Sequence, residues 1–357
     1  MVGMRDVAKK AGVSLSTVSL VVNGNGYVSN DMRDRVRKAM QALNYVPNEL
    51  ARNLYHDRTN LVGVIVPTIR HPVFATFTAH LQHALAAQGL RTMLCSTTDE
   101  TDGEIQYVDM LRRHMMDGIV MCAHTSHPGD YWTSILAFDR VLGNGISSIG
   151  SDHEQGGRLI AQMLIRNGAR HVVMIGGPRD QFFDLAVRGE VEEGSFDLGK
   201  TTFPTVRYYL TLEQELTSAG VKYEYIEAGE VMDFAGYHRA VSRALDGVAT
   251  DGVDAVVSSD IGAAFCVREA LSRGISIPDE LQVVAYDGTY LTDLAGMKLT
   301  AVAQDFSAIA QSAADHMVQA IANEEAAAAN ASRKNIPKPF EPNVLIPMTL
   351  VPGDTTR

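Results

Sequence analysis

Hydrophobic positions in the first 45 residues recur at helical spacing. Val7, Ala8 and Ala11 share one face of a helix predicted over residues 5–11. Gly12 then breaks the pattern, as a glycine just past a helix C-terminus does. Ser14 takes the N-cap place of a second helix, residues 14–22, whose Val18, Val21 and Val22 turn inward. Asn23-Gly24-Asn25-Gly26 is a turn cluster, and a third helix over about residues 30–43 carries Val36, Met40 and Leu43 as its apolar stripe. Helix, glycine turn and second helix make a helix-turn-helix pattern. Such a unit sets the start of its second helix at base edges in the major groove. The outward residues there are Leu15, Ser16, Thr17 and Leu20. A three-helix bundle with no such role has the same periodicity.

Beyond residue 60 the pattern changes. Short apolar runs suited to buried strands fall at 61–66, 91–95, 118–122, 171–175, 255–257, 282–286 and 300–303. Helical stretches separate them at about 73–88, 103–114, 155–167, 232–246, 261–273 and 306–325. Strands alternating with helices predict doubly wound parallel sheets. Polar residues follow several predicted strands: Asp260, Asp287, and the run Gln304-Asp305-Phe306. Ligands of open α/β sheets bind at the carboxyl ends of strands, so these residues are candidates for one pocket. Turn and N-cap duty is the competing account, most directly for Asp260 ahead of a helix.

Composition narrows the class. The chain has 357 residues, 46% hydrophobic and 20% charged, enough for a small head and a two-lobed body. No run of about 18 apolar residues suggests a membrane span, and Met1–Lys10 is too charged for a signal peptide. Cys95, Cys122 and Cys266 sit among apolar or small neighbours, as core thiols of a reducing cytoplasm do. The net charge of −11 is unevenly spread: residues 1–60 hold nine Lys/Arg against five Asp/Glu, the remainder 22 against 37. A mildly basic head on an acidic body suits a protein whose head alone meets phosphate. No phosphate loop, dinucleotide fingerprint, nucleophile–base pair or paired metal cluster is present, so no enzyme, cofactor or metal is expected. Cys122-Ala123-His124-Thr125-Ser126-His127 reads as a strand running into a polar loop.

The wording of the head goes further than its periodicity. Asp6-Val7-Ala8-Lys9-Lys10-Ala11-Gly12-Val13-Ser14, Ser16-Thr17-Val18-Ser19, Val22-Asn23-Gly24 and Asn44-Tyr45-Val46-Pro47-Asn48 resemble the head of the lactose-repressor/galactose-repressor family. The resemblance implies a DNA-binding head over residues 1–46. It places Leu15, Ser16 and Leu20 at base-reading positions, with Thr17, Asn23, Ser29 and Asn48 also on the DNA side. Arginine is common in the family where this chain has Leu20. Arginine reads guanine bidentately, whereas leucine offers only apolar contact, so the operator preference is expected to differ. Residues 47–60 match the hinge that folds on operator DNA, where Ala51 matches a contact between paired hinge helices and Leu54 a wedge between base steps.

The remainder resembles the sensor core of the same family, two-lobed and related to periplasmic sugar-binding proteins. The matching words are Val64-Ile65-Val66-Pro67, Asp139-Arg140, Ser151-Asp152-His153, Gly176-Gly177-Pro178, Ser259-Asp260, Tyr286-Asp287-Gly288 and Gln304-Asp305-Phe306. The resemblance implies effector contacts at Phe74, Asp139, Arg188, Ser259, Asp287, Gln304 and Phe306. The core is expected over residues 61–352. Lobe one is placed at about 61–162 and 292–325, lobe two at about 163–291 and 326–352. Residues 190–204 look inserted, which leaves Arg207 as a rival to Arg188. The expected function is a cytoplasmic, homodimeric repressor that binds double-stranded operator DNA and is released by a sugar. A purine-type co-repressor is the alternative, and a solute-binding protein without DNA function is a further one.

Overall fold

The computed structural model describes residues 2–24, 26–46, 58–97, 103–122, 134–140, 146–183, 201, 203–229, 234–329 and 343–357. The chain divides into two compact units, Met1–Thr59 and Asn60–Arg357.

The first unit holds α1 (Met4–Ala11), α2 (Leu15–Asn23) and α3 (Asn30–Ala42). Gly12 closes α1 in the left-handed region, φ 63°, where a side chain would be strained. The Arg35 guanidinium of α3 reaches back to donate to the Ala11 carbonyl at 2.7 and 3.1 Å and to Gly12 at 2.9 Å. The orphan carbonyls at the end of α1 are thereby satisfied. Ser14 caps α2, its Oγ accepting from the Thr17 amide at 3.0 Å. Val7, Ala8, Ala11, Val18, Val36 and Ala39 form the small buried core, and Val21, Val22, Met40 and Leu43 pack around it. These are the inward positions expected from the spacing.

In the second unit the order is β1 (Leu61–Val66), α4 (Pro72–Ala87), β2 (Arg91–Ser96), α5 (Gly103–Arg112), β3 (Gly118–Met121), β4 (Ile135–Phe138) and β5 (Ser147–Ser151). Then come α6 (His153–Arg166), β6 (His171–Gly176), α7 (Pro204–Ser218), β7 (Lys222–Glu227), α8 (Phe234–Thr250), β8 (Ala255–Ser259), α9 (Asp260–Ser272) and β9 (Gln282–Asp287). The last elements are β10 (Thr300–Ala303), α10 (Phe306–Ala329), β11 (Asn343–Ile346) and β12 (Thr349–Val351).

Among the described residues these strands form two six-stranded sheets. Their orders are β11-β5-β4-β3-β1-β2 and β12-β10-β9-β8-β6-β7. Every pairing is parallel except β10 with β12. Each sheet repeats the doubly wound order of a flavodoxin-like fold and adds one strand from the C-terminal segment. Helices cover both faces of both sheets. The α4 and α10 side of the first sheet holds Phe77, Leu81 and Met317, and the α5 side holds Val108 and Leu111. On the second sheet, α8 and α9 contribute Val241, Leu245 and Val267, while α6 and α7 contribute Ile160, Leu212 and Leu216.

The lobe boundaries differ from those expected. α6 packs on α7, so the second lobe begins at His153 and not after residue 162. β10 pairs with β9, which puts residues 300–303 in the second sheet although 292–325 were assigned to lobe one. β11 pairs with β5, which puts residues 343–346 in the first sheet although 326–352 were assigned to lobe two. The chain therefore crosses between lobes after β5, β10 and β11. Nor does the core end at residue 352. Thr355 is buried, donating to the Val283 carbonyl at 2.6 Å and accepting from the Thr300 amide at 2.9 Å.

β4, β5 and β7 were not among the predicted strands. β4, Ile-Leu-Ala-Phe, is a buried apolar run of the same length as β3 and β10. β5 is fully buried but reads Ser-Ser-Ile-Gly-Ser. β7, Lys-Tyr-Glu-Tyr-Ile-Glu, is an edge strand that pairs with β6 among the described residues, and its alternation of polar and apolar residues gives no unbroken apolar run.

Candidate functional site

The carboxyl ends of the two sheets face a cleft between the lobes. The first lobe presents His71 and Phe74 from the start of α4, and Phe138, Asp139 and Arg140 from the end of β4. The second presents Tyr209 of α7, Tyr237 of α8, Ser259 at the end of β8, and Tyr286 and Asp287 at the end of β9. Gln304, on the crossover after β10, completes the lining. Of the residues expected at this site, Phe74, Asp139, Ser259, Asp287 and Gln304 converge on the cleft.

Phe306, expected at the site, does not line the cleft. It opens α10 with its ring buried in the core of the first lobe among Val73, Phe77 and Ile309. Aromatic surface comes instead from Phe74, Phe138, Tyr209 and Tyr237. Phe138 is held by a stacked Phe77 ring, centroids 3.8 Å apart. Arg207 lines a smaller recess with Asp152, Glu154 and Asn343, which adjoins the aromatic cleft through Asp139, Arg140 and His153. Arg188 lies outside the described residues, as do Asn48, Ala51 and Leu54, the inserted stretch up to residue 200, and the run after Cys122.

Asp139, directly after β4, and Asp287, the last residue of β9, occupy matching places at the end of the fourth strand of each lobe's winding, and both hold positive φ, 57° and 105°. Few residues other than glycine sit there, and such strain is characteristic of binding and switch regions. Asp139 Oδ1 accepts from the Ser151 amide at 3.1 Å and meets His153 Nε2 at 2.7 Å. The other ring nitrogen of His153 meets the Tyr286 hydroxyl. Asp287 Oδ1 accepts from Gln304 Nε2 at 2.8 Å, and Gln304 Oε1 accepts from Ser151 Oγ at 2.9 Å. Ser151 and Gln304 sit on two different crossovers, so this chain of bonds ties the hinge to the cleft wall.

Asp260 is a support of that wall and does not line it. It accepts from the Gly288 amide at 3.2 Å and from the Thr289 amide and hydroxyl at 2.6 Å. The N-cap of α9 is Ser259. Gly288, φ 69°, leaves no room for a Cβ against Ala303, which lets β9 turn tightly beside β10. Burial pushes the Asp260 carboxyl up to about 6, against its hydrogen bonds to Thr289 and Gly288. Burial also holds the Asp287 carboxyl well above the usual range, aided by repulsion from Asp260 and Asp139 and opposed by Gln304. His71 is driven down to about 4 by burial, so it is a neutral imidazole at physiological pH. His71, Phe138, Arg140, His153, Tyr209 and Tyr237 were not assigned to the site from the sequence. Arg140 and His153 stand in the family words Asp139-Arg140 and Ser151-Asp152-His153, and His71 lies three residues before Phe74.

The head has its own candidate surface. Leu15 and Leu20 are 43% and 37% exposed, and Ser16 is exposed beside them. Thr17 is half-buried, its hydroxyl 2.8 Å from Ser14 Oγ. Asn23 donates to Ser19 at 3.2 Å, and Ser29 caps α3 by accepting from the Met32 amide at 3.4 Å.

A helix-turn-helix unit on a two-lobed, cleft-bearing α/β core defines a class, that of DNA-binding transcription regulators. Residues 3–48 match the model of bacterial regulatory proteins of the lacI family. Residues 59–197 match the periplasmic binding proteins and sugar binding domain of the same family, and residues 161–356 a periplasmic binding protein-like domain. The chain is 30% identical to a sucrose operon repressor of Streptococcus mutans over 90% of this chain and 93% of that one. It is also 30% identical to a ribose operon repressor of Halalkalibacterium halodurans, over 85% and 86% respectively. A solved lac repressor dimer, bound to operator and an anti-inducer, shares the fold at a TM-score of 0.76 and 21% identity, with 99% of both chains covered. This protein belongs to the lacI family of bacterial DNA-binding regulators.

Proposed function

We propose that this chain is a homodimeric repressor of a carbohydrate-utilisation operon, released from its operator when a sugar fills the cleft. The observation that carries the reading is the cleft itself. Two carboxylates, an amide and a serine hydroxyl converge with aromatic rings, the groups that bond hydroxyls and stack on a sugar face. Relatives that repress sucrose and ribose operons support the same class of ligand. The protein works by binding and not by turnover.

The hinge bonds supply a means of coupling. A ligand hydroxyl that engages Asp287 or Asp139 competes for the atoms that hold Gln304 and His153. Ligand then favours one arrangement of the crossovers over another, and operator affinity changes by the difference in its affinity for the two. Two heads on one dimer read a pseudo-palindromic site. The test is an operator shift assay at fixed salt with sucrose, fructose, ribose and a set of nucleobases. Release by a sugar is the expected outcome. Tightening by a nucleobase with no response to any sugar would replace the reading with purine-type co-repression.

A further inference from the structure

The helix α2 carries no acid and no base along Leu15–Asn23. Its polar side chains bond one another or its own cap. Ser14 Oγ lies 2.7 Å from Ser16 Oγ and 2.8 Å from Thr17 Oγ1, and accepts from the Thr17 amide at 3.0 Å. Asn23, the one amide on the helix, sits at its far end and donates to Ser19. Two large apolar side chains remain outward, Leu15 and Leu20, and neither belongs to the head's core.

A single exposed leucine is ordinary on a protein surface. A groove-facing helix whose reading positions are leucine, a tied hydroxyl and leucine is a different matter. Guanine is read by the paired donors of Arg or Lys and adenine by Asn or Gln. α2 offers no Arg, Lys or Gln, and its Asn is engaged. The major-groove feature that an aliphatic side chain does recognise is the C5 methyl of thymine.

We propose that Leu15 and Leu20 read the operator through thymine methyl groups, and that these contacts, not guanine edges, set base preference opposite α2. The proposal rests on α2 being the groove helix. Removing one contacted methyl then costs what exposing one buried methyl costs, about fourfold in affinity.

The experiment uses the full chain. Duplexes that it binds are selected from a randomised library, and the tightest is remade with deoxyuridine in place of each thymine in turn, at fixed salt. Deoxyuridine at one or two positions of each half-site is expected to weaken binding about fourfold. Leu20→Ala is expected to abolish the effect at one of those positions and Leu15→Ala at another. Affinity unchanged by deoxyuridine throughout the half-site overturns methyl reading, even where the alanine variants bind more weakly. Alanine variants that bind every duplex as tightly as the parent chain overturn the assignment of α2 as groove helix, and methyl reading with it. Leu20→Arg, selected again from the library, is expected to move one position from thymine to guanine.

Discussion

His153 Nε2 lies 2.7 Å from Asp139 Oδ1, joining the turn after β4 of the first lobe to the first helix of the second. A carboxylate only accepts, so Nε2 donates to Asp139, while Nδ1 faces the Tyr286 hydroxyl. All three side chains lie at the inter-lobe cleft, and His153 and Tyr286 are almost wholly buried. His153→Ala leaves the buried Tyr286 hydroxyl without its partner. The expected loss is about 2–3 kcal/mol in a urea unfolding series at pH 7. A loss below about 0.5 kcal/mol would show that the contact adds nothing.

The two raised carboxyls on the second-lobe wall predict a pH dependence with a definite sign. Asp260 holds its proton to about pH 6 when folded and to 3.8 when unfolded. Between those values the folded chain binds more protons, so this group's contribution falls as pH rises through the window. Asp287 has the same sign. Asp287→Asn keeps the shape and removes the ionisable proton. Its stability relative to the parent chain is expected to rise as pH climbs above the ordinary carboxylate value of 3.8, read from urea midpoints. A difference that stays constant with pH would contradict this assignment.

Across the cleft, the Arg70 guanidinium lies 5.9 Å from the centre of the Phe234 ring. Arg70 follows β1 in the first lobe and Phe234 begins α8 in the second. An exposed cation–π contact is worth about 0.5–1 kcal/mol. Arg70→Ala and Phe234→Leu are each expected to speed release of the bound sugar about two- to fivefold by stopped flow. The double variant is expected to be no faster than the single ones. Rates that multiply would mean the two side chains act separately.

Ser14 holds the start of α2 by accepting from the Thr17 amide. Ser14→Ala removes a cap worth about 1 kcal/mol. Hydrogen exchange of the α2 amides is expected to quicken about fivefold, while amides of the central strand β8 stay as protected as before. Equal exchange in both chains would place the stability of α2 elsewhere.

Much of the head was readable without a structure. Val7, Val18 and Val36 announce their burial by spacing, and Gly12 and Ser14 mark their helix ends by what their backbones and side chains can do locally. The first sheet's β1 and the second sheet's β9 were legible because a strand covered on both faces reads as an unbroken apolar run. Family wording brought Phe74, Asp139, Ser259, Asp287 and Gln304 forward as a group, and the strand-end rule explains why they meet.

What the tertiary structure decided is which distant segments share a sheet and which aromatics face the cleft. Thr300–Ala303 looks the same beside β9 as beside β5, and only pairing shows that it belongs to β9. Phe306 and Phe138 are both aromatic residues buried in the same lobe core, yet Phe138 also lines the cleft and Phe306 does not. His153 and Tyr286 are 133 positions apart, and no local pattern records that they touch. Helix periods, caps and strand runs arise from neighbours within a few residues, so the sequence alone determines them. Lobe membership and the hinge network rest on contacts outside any local period, such as Ser151–Gln304 and His153–Tyr286, 153 and 133 residues apart, and only the folded chain brings those atoms together.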